Sequence, residues 1–65
     1  MNIYEIVVKG HIHQERSGWF DGMTMELLPQ GETLLKGEVT DQAALHAILT
    51  RIRDLGLPLL LVKKL

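Results

Sequence analysis

T-D-Q-A-A-L-H-A-I-L-T-R-I-R-D-L-G-L-P-L-L-L-V, residues 40–62, carries a helix with both of its ends marked and an apolar run after it. Thr40 or Asp41 can offer a side-chain oxygen to the free amides of a first turn. Asp41 also suits the positive end of a helix dipole. Leu45, Ile48, Leu49, Ile52 and Leu55 recur at the spacing of one helical face, with Gln42, His46, Thr50 and Arg53 on the other. Gly56 can take the left-handed conformation that ends a helix, Leu57 can fold back on Ile52, and Pro58 prevents resumption. Arg51 and Arg53 complement the negative end. Leu59 to Val62 is short and continuously apolar, which predicts a strand covered on both faces. Lys63 and Lys64 then lead the chain into water.

Working back from the helix, Met23–Leu28 and Thr33–Val39 read as the arms of a hairpin around Pro29-Gln30-Gly31. Proline presets the first turn position and glycine can close a three-residue loop in the left-handed region. Such a loop sets Leu28 against Glu32, Met25 against Leu35 and Met23 against Gly37. All of Met23, Met25, Leu27, Leu35 and Val39 then share one face, so turn chemistry and hydrophobic pattern specify the same register. The opposite face carries Thr24, Glu26, Lys36 and Glu38 with Leu28 and Leu34. From Ile3 to Ile12 a strict alternation puts Tyr4, Ile6, Val8 and Ile12 on one side, the pattern of a strand.

The elements therefore run β-β-β-α-β, an α+β domain spanning residues 1–65. One helix lies on one face of a four-stranded mixed sheet. A right-handed crossover makes the third and fourth strands run in the same direction. Pairing the fourth beside the first gives an expected order of 4-1-2-3. Residues 13–22 form the one long irregular connection, the kind of loop that tends to carry function.

Composition narrows the classes of function. Seven Lys and Arg against eight Asp and Glu, a formal charge of −1, oppose a nucleic-acid surface. At 46% hydrophobic and 23% charged the chain has globular, not disordered, composition. Its apolar runs are far too short to span a bilayer and its first residues lack signal-peptide character, so a cytoplasmic location without membrane partners is expected. Without cysteine there is no disulfide, thiolate metal site or thiol nucleophile. Surface scaling gives roughly 4,200 Å² for a folded chain of this mass against roughly 10,700 Å² unfolded, a thin basis for stability.

Candidate chemistry is sparse. If the first strand ran on to residue 15, His11, His13 and Glu15 would project to one side at roughly 6.5–7 Å intervals, a set suited to zinc. Two solvated histidines at a strand end explain the same pattern. Trp19, Phe20 and Asp21 sit between Gly18 and Gly22, and could wall a ligand or partner surface. The plainer reading folds one ring over the open end of the core. Ser17, Asp21 and a histidine are not placed in hydrogen-bond order and no nucleophile elbow is present, so no catalytic residue is assigned. The glycines match no phosphate-binding fingerprint. Arg51, Arg53, Lys63 and Lys64 read as a solvated edge, and no cofactor is implied.

Residues 31–62 resemble a widespread group of short uncharacterised bacterial proteins, whose core is D-Q-A-A-L-H followed by I-R-D-L-G-L-P-L-L. Members carry Gly where Ala47 stands and Ser where Leu61 stands. The resemblance implies a small bacterial, cytoplasmic protein and transfers no catalytic residue. What remains is a physical expectation: one helix covers only one face of the sheet. The uncovered side would keep Ile3, Val7, Leu28, Leu34 and the last strand. The favoured reading is a non-enzymatic interaction module, a homodimer through that face, with another protein as the other partner of the same kind. The alternative is a small-molecule or metal-binding regulatory domain using residues 11–22. An enzyme built on His11 and His13 ranks last.

Overall fold

The computed structural model describes residues 2–12, 20 and 22–65. Its elements are β1 (Ile3–Lys9), β2 (Met23–Leu28), β3 (Glu32–Glu38), α1 (Gln42–Asp54) and β4 (Leu59–Lys64). The helix begins where Asp41, not Thr40, acts as cap: its Oδ1 accepts the Ala44 N–H at 2.8 Å. It ends through two carbonyl bonds, with Gly56 N–H donating to Arg53 at 2.9 Å and Leu57 N–H to Ile52 at 3.4 Å. That pattern requires a left-handed residue at Gly56, whose φ is +75°.

The hairpin has the register its turn dictates. Leu28 opposes Glu32, Met25 opposes Leu35 and Met23 opposes Gly37. Gly31, at φ +81°, returns its N–H to the Leu28 carbonyl at 3.1 Å. Met23, Met25, Leu35 and Val39 join the core, as the pattern predicts, whereas Leu27, expected on the same face, is 48% exposed.

The strand order is β2-β3-β1-β4, and every neighbouring pair is antiparallel. This corrects the expected mixed sheet of order 4-1-2-3. The fourth strand does lie beside the first, but β1 pairs with β3 instead of β2. The connection after β1 is long enough to carry the chain across β3 before it enters β2, so sequence neighbours need not be sheet neighbours. In the sheet order β1 and β2 are separated by β3, and β3 and β4 by β1, the latter with the helix between them as in a split βαβ unit. Phe20 and α1 contribute to one core.

Charge and volume explain why β1 takes the centre. It carries branched aliphatic residues on both faces, Ile6 and Val8 on one and Ile3 and Val7 on the other, while β2 carries Thr24 and Glu26 outward. Glu5 stands between Lys36 of β3 and Lys63 of β4, so charges alternate across three strands. On the helix side Met25, Leu35, Ile6 and Val62 form one continuous row. Ile6, Val8 and Leu35 are fully buried, joined by Ile12, Phe20, Val39, Leu45 and Ile52. The accessible surface, 4347 Å², is close to that expected of a fully folded chain of this mass.

Three sequence boundaries shift. β1 stops at Lys9 because Gly10 turns the chain at φ +99°. Ile12 is still buried, but from the turn beyond the strand. β3 covers Glu32–Glu38, leaving Val39 to bury itself in the turn before the helix. β4 departs furthest from expectation: predicted to be covered on both faces, it is exposed along its whole length.

Gly37 makes the crossing over β3 geometrically possible. A Cβ there would lie 2.5 Å from the Gly22 carbonyl oxygen and 2.8 Å from the Met23 Cα, both backbone atoms that cannot swing away. Gly37→Ala should therefore cost about 1–3 kcal/mol, the usual range for overpacking. For a domain of this size each kcal/mol lowers Tm by about 4–8 °C. Thermal denaturation followed by circular dichroism checks this; an unchanged Tm would mean that the entry to β2 does not press on β3.

Candidate functional site

Among the described residues the polar, chemistry-bearing side chains do not converge, whereas the apolar surface does. Among the described residues β4 pairs with β1 alone and so forms one edge of the sheet. Leu59, Leu60, Leu61 and Val62 are 48%, 49%, 44% and 39% exposed. The buried core draws on β1, β3, the helix, Ile12, Phe20 and Val39, and contains no β4 residue. One helix over a four-stranded sheet thus protects the centre and leaves this flank outside. A long apolar edge with unpaired amides is a template for another strand, and most proteins blunt such an edge with charge, proline or cover. Here Lys63 and Lys64 stand at one end and Pro58 just before the other, and the middle of the strand is left apolar.

The direction of the free backbone groups follows from the bonds on the inner side. Leu65 N–H donates to Ile3 at 2.8 Å and Lys9 N–H to Pro58 at 2.9 Å, so odd residues of β1 form the ladder with β4. Val39 N–H donates to Asn2 at 2.8 Å, so even residues of β1 bond to β3. By this alternation Leu61 and Lys63 turn their amides and carbonyls toward β1, and Val62 and Lys64 turn theirs outward. Val7 opposes Leu61 and Val8 opposes Leu59, so Leu60 is the extra residue of a bulge.

Beneath the sheet, on the face without a helix, Leu34, Val7 and Leu61 form a row from β3 to the β4 edge. Lys36 and Glu5 flank it, with Lys36 Nζ 4.0 Å from Glu5 Oε2. The opposite edge, β2, interrupts its apolar residues with Thr24 and Glu26, and Thr24 donates its hydroxyl to the Lys36 carbonyl at 3.0 Å. The two edges are therefore chemically different.

The residues singled out by sequence are distributed as follows. His11 is exposed beyond the end of β1, and its Nε2 donates to the Leu28 carbonyl at 3.2 Å. The extended strand that would align it with His13 and Glu15 ends before it, and those two residues lie outside the described ones. Among the described residues no group of three or more His, Cys, Asp or Glu could hold a metal ion. Phe20 is buried at 1% exposure in the core; Trp19, Asp21 and Ser17 lie outside the described residues. Arg51 and Arg53 stand in the last turn of the helix as expected. His46 lines a shallow hollow on the helix with Leu49, Thr50 and Arg53.

Sequence reasoning passed over Thr33, the one buried polar side chain among the described residues. Its hydroxyl donates to the Gly10 carbonyl at 2.7 Å and accepts the Ile12 N–H at 3.1 Å. Gly10 N–H in turn donates to Gly31 at 2.6 Å. One hydroxyl thus ties the start of the crossing to the hairpin. A threonine on an otherwise apolar strand face was the available signal.

A family model described as "Domain of unknown function (DUF8691)" matches residues 3–63. The chain belongs to that family. No curated protein and no solved structure matches it. Among the described residues no helix is long and apolar enough to cross a membrane. The match covers the whole sheet except the last residue of β4, so the exposed edge lies almost entirely within the family domain.

Thr33→Val keeps the shape of the side chain but strands the buried Ile12 N–H and the part-buried Gly10 carbonyl, which should cost about 1–3 kcal/mol. Amide exchange should accelerate at Ile12 more than at Leu35 within β3. Equal change at both amides would show that the hydroxyl does not hold this turn.

Proposed function

We propose that this domain is a non-enzymatic interaction module that self-associates, with β4 as its interacting element. The observation that carries the reading is the run Leu59–Val62, apolar throughout and exposed on an unpaired edge. Contiguous exposed apolar surface rimmed by charge marks association sites, and strand addition to a sheet edge supplies backbone bonds in addition to side-chain burial. A formal charge of −1 leaves little long-range repulsion between copies. Association would also stabilise a small chain by mass action.

This reading keeps the expected homodimer but moves its centre. The face without a helix carries Glu5, Glu26, Lys36 and Glu38 around its apolar row, which opposes a dry sheet-on-sheet contact. The β4 edge has no acidic residue and meets that face at Leu61.

Sedimentation equilibrium at micromolar concentration should give a mass near twice 7.4 kDa. Leu61→Lys should weaken association about 10–100-fold, the equivalent of leaving a leucine side chain unburied at about 1.5–3 kcal/mol. Because Leu61 is 44% exposed, the helical circular dichroism signal should survive the substitution. A wild-type chain that stays at 7.4 kDa would remove the proposal.

A further inference from the structure

We draw no further inference here: the strongest candidate, the exposed apolar edge of the sheet at β4, Leu59–Lys64, belongs to the surface already described, and nothing in the structure shows what covers it.

Discussion

Everything in this fold depends on β1 being paired on both sides. Its even residues bond to β3 and its odd residues to β4, so a single seven-residue strand holds together the hairpin, which precedes the helix, and the final strand, which follows it. The same strand supplies Ile6 and Val8, which are fully buried, to the core. Because two connections must each cross one strand to reach this arrangement, the molecule needs narrow points where backbone passes over backbone. Gly37 beneath Gly22 is one, and the Thr33 hydroxyl holding Gly10 and Ile12 is another.

Coverage follows from that topology. The helix joins β3 to β4 but lies over the strand between them, and its buried residues Leu45 and Ile52 meet a core made from β1, β3 and the crossing that carries Phe20. Phe20 adds apolar volume to that core. Among the described residues nothing comparable covers β4. The longest unbroken apolar run among the strands is consequently exposed along its length, the reverse of the usual relation between hydrophobicity and burial.

Local features were legible in the sequence because local physics determines them. Proline and glycine at 29 and 31 set the hairpin register, and the glycine at 56 with Pro58 behind it set the end of the helix. The odd-numbered face of Met23–Val39 found the core. The order of strands was not legible, since a connection of the length of 10–22 can lead to an adjacent strand or across one, and hydrophobic alternation is the same in both cases. Nor was the fate of β4. Leu59–Val62 reads alike for a strand buried within one molecule and for a strand buried between two, and only coordinates show which side of that distinction the monomer occupies. For the site residues, the alignment of His11 with His13 and Glu15 depended on a strand that Gly10 ends.

That ambiguity bears on function. A run such as Leu59–Val62 is costly to leave in water: burying one leucine contributes about 1.5–3 kcal/mol, comparable with a sizeable share of the stability of a small domain, about 5–15 kcal/mol. An isolated copy forgoes this contribution at several adjacent positions while retaining the aggregation hazard of an open edge. The lysines at 63 and 64 limit that hazard at one end and Pro58 at the other, so the apolar middle of the edge is the part that the proposed self-association would cover.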